Sequence, residues 1–137
     1  MSLINILIAE DNLHDYESAI RKLSYLDSIG KIIHVSDGAK AIEYLFKEGE
    51  YSNDPAWIKP DIILLDLCMP KVNGEEVLEK IKSNGTEGIK SIPAIIFTTV
   101  EDNFTNKKCF DLGARGFLEK PINTTHLNDM LIMLKLL

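Results

Sequence analysis

Two cysteines, Cys68 and Cys109, are all that this 137-residue chain carries. They have no metal-ligand spacing and cannot make a disulfide framework, so both are expected to stay thiols in a reducing compartment. Long apolar runs are also missing. None approaches the roughly 20 residues that a membrane span needs, which excludes membrane insertion. The opening Met1-Ser2-Leu3 lacks the basic segment and apolar stretch of a signal peptide, and the cytoplasm is the expected location. Positive charge is in deficit, with 15 Lys and Arg against 21 Asp and Glu and a net charge of -6. Binding a phosphate backbone relies on basic patches, so direct contact with nucleic acid is not expected. Internal repeats and low-complexity tracts are absent. What remains, 45% apolar and 26% charged residues, is the composition of one ordinary globular domain over residues 1–137.

Five short apolar runs stand out: Ile4–Ala9, Lys31–Val35, Ile62–Leu65, Ala94–Thr98 and Gly116–Leu118. Most are continuous rather than alternating, as in strands buried on both faces of a parallel sheet. Between them lie helical spacings, such as Tyr16, Ala19, Ile20, Leu23 and Leu26, or Val77, Leu78 and Ile81. The pattern predicts an α/β fold of five βα units, doubly wound, with helices on both faces and strand order 2-1-3-4-5. Thr124 or Thr125 is expected to cap the last helix and Asn103 or Thr105 the fourth. The longest connection, 47–60, reads as a surface loop, either an insertion or a partner contact. The apolar stretch Met130–Leu137 reads as packing for the last helix or as a surface buried against another subunit.

In such sheets ligands bind beyond the carboxyl ends of the strands where the winding reverses, here between the first and third strands. The first strand ends in Glu10-Asp11, the third in Asp66, the fourth in Thr98-Thr99 and the fifth in Glu119-Lys120-Pro121. Three carboxylates crowded together must raise a pKa, share a proton or bind a cation. Oxygen-only ligands with room for water favour Mg²⁺. Lys120 and Thr98 opposite the acids would complete a phosphoryl site, supplying a cation and a donor to the equatorial oxygens. Charge and position do not decide which carboxylate attacks. The adjacent Glu10 and Asp11 suit metal binding, whereas the isolated Asp66 is the better nucleophile candidate.

These residues resemble the receiver domains of two-component response regulators, the CheY-like superfamily. The resemblance lies in Glu10-Asp11-Asn12, in the segment from Pro60-Asp61 through Asp66-Leu67-Cys68-Met69-Pro70 with Gly74 after it, in Ile92-Pro93 through Thr98, and in Gly113 through Pro121. It covers essentially the whole chain. It implies that Asp66 accepts the phosphoryl group, that Asp11, Glu10, Asp66 and the backbone carbonyl of Cys68 hold Mg²⁺, and that Lys120-Pro121 is a cis peptide. It also implies a switch pair, Thr98 turning toward the phosphoryl group and Phe117 moving inward behind it. The responding surface would be formed by 103–112, Gly116–Glu119 and 124–136. Val100 and Cys68, each two residues beyond Thr98 and Asp66, stand at positions that tune phosphate loss in the family, and neither offers a base for water.

The implied partners are a sensor histidine kinase or a histidine phosphotransfer protein upstream and a protein target downstream. The long loop and Thr98-Thr99 resemble the stand-alone regulators of phytochrome-type kinases, some of which form homodimers. The implied chemistry is the chain's own phosphorylation and dephosphorylation, not turnover of a substrate. Two other classes compete: a small α/β phosphohydrolase using Asp66, and a phosphate-independent pseudo-receiver. A phosphohydrolase of the aspartyl type carries a second Asp two residues after the first, where this chain has Cys68; the complete acid, Thr and Lys set argues against the pseudo-receiver. Phe117 also fits a plain core aromatic, and Thr98 a plain strand residue. Of His14, His34 and His126, only His14 falls near the site, and surface or cap roles are expected for them. Cys68 is expected to be an inert thiol, because neighbouring acids disfavour the thiolate, and Cys109 to pack on a helix.

Overall fold

A computed structural model describes residues 3–99 and 103–137. Its elements are β1 (Ile4–Ala9), α1 (Leu13–Leu23), β2 (Ile29–Val35), α2 (Gly38–Phe46), a 3-10 turn at Gly49–Tyr51, β3 (Ile62–Leu65), α3 (Gly74–Asn84), the single turn α4 (Glu87–Lys90), β4 (Ala94–Thr98), α5 (Asn103–Asp111), β5 (Gly116–Glu119) and α6 (Thr124–Met133). The strands form one parallel sheet in the order β2-β1-β3-β4-β5, the doubly wound order expected from the alternation of strands and helices. All four residues of β3 are fully buried, each worth about 1.5–3 kcal/mol of hydrophobic stabilisation. Alternate residues feed two cores. Ile6, Ile8, Ile62, Leu64, Ile95 and Leu118 face α1 and α6. Leu7, Ala9, Ile63, Leu65 and Ile96 face α2, α3 and α5.

Three expectations change. β2 begins at Ile29 rather than Lys31, and its pairing with β1 shifts register between Ile4 and Ile6. Gly30 lies in that shift and interrupts the apolar run, which hides the strand's first turn from its pattern. The cap of α6 is Asn123, whose side chain accepts from the His126 N–H, so Thr124 and Thr125 lie inside the helix. Asn is among the preferred caps, and the Asn123 carboxamide oxygen reaches the N–H three residues on, so the helix starts one residue before either threonine could cap it. For α5, Thr105 is already two residues inside the helix, and the residue before Asn103 lies outside the described residues.

The connection 47–60 folds back on α2 rather than standing away from it. Trp57 Nε1 donates to the Tyr44 carbonyl (2.8 Å), the Tyr44 hydroxyl donates to the Ile58 carbonyl (2.8 Å), and Tyr51 meets the Tyr44 ring edge-on at 4.9 Å. Half-buried Tyr51 and Trp57 thus extend the core.

Candidate functional site

The acid-bearing ends of β1 and β3 are held by backbone bonds. The Glu10 N–H donates to the Val35 carbonyl (3.0 Å) and the Asp66 N–H to the Ala9 carbonyl (3.0 Å). Beyond β1 the run Glu10-Asp11-Asn12 does two things at once. Glu10 Oε2 accepts from the Asn12 N–H (3.0 Å), and Asn12 Oδ1 accepts from the Asp15 N–H (3.0 Å), capping α1. After β3 the chain turns tightly: Asp66 Oδ1 accepts from the Cys68 N–H (3.2 Å) and the Leu67 carbonyl from the Gly74 N–H (3.1 Å). Gly74 is required by closeness. A Cβ there would lie 2.5 Å from the Asp66 carbonyl oxygen and 2.9 Å from Leu67 Cα.

Glu10, Asp11 and Asp66 each offer a carboxylate oxygen within 4.8 Å of one another. Glu10 is fully buried, Asp66 is 7% exposed, and Asp11 is open to solvent. Lys120 Nζ ion-pairs with Glu10 Oε1, lies 3.4 Å from Asp66 Oδ2 and sits 5.1 Å above the Phe97 ring. Burial pushes the Glu10 carboxyl up to about 7, and Lys120 and the Asn12 N–H pull it back only in part, while Asp66 adds a further push upward. Burial alone would lower the Lys120 ammonium, but the Glu10 contact and the charges of Asp66 and Glu10 outweigh it, and the ammonium ends above its ordinary value.

This donor set fits a hard divalent cation. It is all oxygen and carries excess negative charge, three carboxylates against the one Lys120 ammonium that meets the buried Glu10 Oε1. Two carboxylates deep in the site and one facing water leave room for solvent and phosphate oxygens on the open side.

The remaining residues singled out in the sequence fall around this cluster. Leu65 pairs with Ile96 and Thr98 with Glu119, and the Lys120 N–H donates to the Thr98 carbonyl (2.8 Å), so Asp66, Thr98 and Lys120 leave adjacent strand ends. The Lys120–Pro121 peptide is cis. Cys68 is exposed and Cys109 fully buried in α5, where burial pushes its thiol up. Phe117 pairs with Ile96, is half-buried and meets Phe110 of α5 edge-on at 5.0 Å. Val100 lies outside the described residues.

Two residues were not anticipated. Asp15 Oδ2 bonds Lys120 Nζ at 3.1 Å. His34, placed far from the site by sequence distance, bonds the Glu10 carbonyl through Nε2 at 2.8 Å and stacks on Tyr16 with ring centres 3.7 Å apart. Asp15 lies in the first turn of α1, next to the acids that end β1. The reach of His34 depends on the β1–β2 register. His14 lines a cavity of about 330 Å³ together with Asp15, Phe97, Thr99 and Lys120.

Known proteins share this fold. Residues 6–132 match the response regulator receiver domain family. The response regulator Rcp1 of Synechocystis sp. is 35% identical over 127 residues, covering 91% of this chain and 82% of its own length. A solved Mn(2+)-bound form of Rcp1 superposes with a TM-score of 0.75 at 32% identity, over 96% of this chain and 89% of that one. The bacteriophytochrome response regulator AtBRR superposes with a TM-score of 0.85 at 30% identity, over 100% and 96%. The phosphorylated cyanobacterial phytochrome response regulator RcpA superposes with a TM-score of 0.78 at 31% identity, over 98% and 92%.

Proposed function

The chain belongs to the response regulator receiver domain family of two-component signalling, whose donor-side partner is a histidine kinase, and on that premise we propose that it takes its phosphoryl group on Asp66. The observation that carries the reading is the meeting of three carboxylates within 4.8 Å, with Lys120 Nζ 3.4 Å from Asp66 Oδ2. An Asp66 oxygen attacks phosphorus, the P–N bond of a phosphohistidine breaks, and the imidazole nitrogen leaves with the electron pair as the acyl phosphate forms. Glu10, Asp11, Asp66 and the Cys68 carbonyl would hold Mg²⁺, which supplies positive charge beside the transferring group. Lys120 neutralises the phosphoryl oxygen on the other side, and Thr98 donates to a third. That Rcp1 has been solved in a Mn(2+)-bound form supports a divalent cation as the ligand of this chain.

The output follows from what touches the site. Thr98 turns toward the phosphoryl group, Phe117 moves inward, and the surface of α5, β5 and α6 changes its population between two states. The Phe117–Phe110 contact links that motion to α5. A protein target downstream reads this surface. The likeness to AtBRR and RcpA supports a phytochrome-type kinase as donor, with a phosphotransfer protein as the other donor class, and the proposed setting is the cytoplasm. Ile132 and Met133 on α6 are exposed and suit a homodimer; a monomer by light scattering would remove that part.

Incubation with acetyl phosphate and Mg²⁺, followed by intact mass, tests the whole reading. One phosphoryl group should appear on the wild type and none on Asp66→Asn. Catalytic turnover of phosphoesters without a stable adduct would favour a phosphohydrolase, and no modification at all a pseudo-receiver.

A further inference from the structure

We propose that Asp15 is a positioning residue for Lys120, a third carboxylate that keeps the ammonium at the acid cluster once Glu10 and Asp66 are engaged by a cation or a phosphoryl group. The proposal rests on the receiver chemistry above and assigns a role to a residue outside the acid cluster. Three carboxylates surround one ammonium: Glu10, Asp15 at 3.1 Å and Asp66 at 3.4 Å. Glu10 and Asp66 belong to the set that can hold a cation, whereas Asp15 does not. When the first two turn their charge to the cation, Asp15 is the partner whose charge stays undivided.

The direction of its pull also matters. Asp15 and Lys120 both line the cavity of about 330 Å³ that opens between α1 and the ends of β4 and β5. A lysine on a flexible four-carbon stem can swing into such a space. Asp15 stands on that open side, with the Phe97 ring 5.1 Å away beneath the ammonium. The carboxylate comes from a rigid element. Its own N–H is capped by Asn12 Oδ1, and Ala19 and Leu23 bury α1 against the sheet. The cap uses the Asp15 backbone alone, so the side chain can be removed without uncapping the helix.

Lys120 touches the phosphoryl oxygens, and Asp15 acts through Lys120. Beryllofluoride with Mg²⁺, a mimic of the phosphoryl group, reads the effect at equilibrium. Asp15→Ala should bind beryllofluoride about tenfold more weakly, the scale of one charge-assisted hydrogen bond, while its affinity for Mg²⁺ alone stays within about twofold of wild type. With acetyl phosphate its maximal rate should fall by a similar factor at an unchanged half-saturating concentration, and Asp15→Glu should restore most of it. If Asp15→Ala folds poorly, Asp15→Asn keeps the side-chain volume and carries the same expectation. Wild-type behaviour in Asp15→Ala and Asp15→Asn, or a parallel loss of Mg²⁺ affinity, overturns the proposal and leaves the receiver chemistry intact. A wild type that accepts no phosphoryl group overturns both.

Discussion

Glu10→Gln should make the metal-free protein more stable than wild type as pH rises, although Glu10 is a proposed metal ligand. The fully buried Glu10 carboxyl titrates at about 7 in the folded chain against an ordinary value of 4.5. The folded state therefore binds the extra proton between those two values, and wild-type stability falls as pH rises through that window. A displacement of that size corresponds to about 3 kcal/mol, complete above about pH 7 and absent below about pH 4.5. Glutamine resembles the protonated acid and has nothing to lose on deprotonation. The stability difference in favour of Glu10→Gln should thus grow by about 3 kcal/mol from pH 4.5 to pH 8, measured by urea denaturation in EDTA. Mg²⁺ should reverse the order. At about a hundredfold excess over its dissociation constant a cation adds roughly 2.7 kcal/mol to a chain that binds it, and the glutamine variant forfeits much of that. A difference that is flat with pH in EDTA, or that shrinks as pH rises, would refute the electrostatic account of Glu10.

Two further predictions concern residues that shape the site or stand apart from it. Gly74→Ala forces a methyl group to 2.5 Å from the Asp66 carbonyl oxygen; it should cost about 1–3 kcal/mol and weaken beryllofluoride binding with it, and thermal melts within experimental error of wild type would contradict the close approach. Trp57→Ala removes the bond to the Tyr44 carbonyl and a half-buried ring and should cost about 2–3 kcal/mol in urea denaturation, below the roughly 3–5 of a fully buried Trp. Because 47–60 leads into the end of β3 opposite the acids, phosphorylation by acetyl phosphate should be unchanged; a lost adduct would show that the segment reaches the site.

Much of the fold was legible because its strands are buried on both faces. Continuous runs such as Ile62–Leu65 report that burial directly: β1, β3 and β4 have the expected bounds, and β5 runs one residue beyond the expected Leu118, to Glu119. β2 was shortened where Gly30 breaks the run, and the α6 cap was placed one or two residues late, since Asn123, Thr124 and Thr125 are all chemically able to cap. The segment 47–60 read as loop because it is the longest connection and carries Gly49, Asn53 and Pro55. Its order comes from two side chains, Tyr44 and Trp57, that find backbone carbonyls across 13 and 14 residues, a pairing without periodicity.

At the site, the chemical types and their places at strand ends followed from sequence and strand order, because residues after adjacent parallel strands must converge whatever their side chains do. The two bonds that were not foreseen, Asp15 to Lys120 and His34 to the Glu10 carbonyl, join residues 105 and 24 positions apart. Each depends on helix rotation or strand register to within a fraction of a turn or one residue. The sequence alone determined which acids and which lysine meet, since topology brings chain ends together coarsely. Only the tertiary structure decided how the single ammonium is shared among three carboxylates, because that depends on distances of a few tenths of an ångström, set by the packing of α1 and β2 on β1.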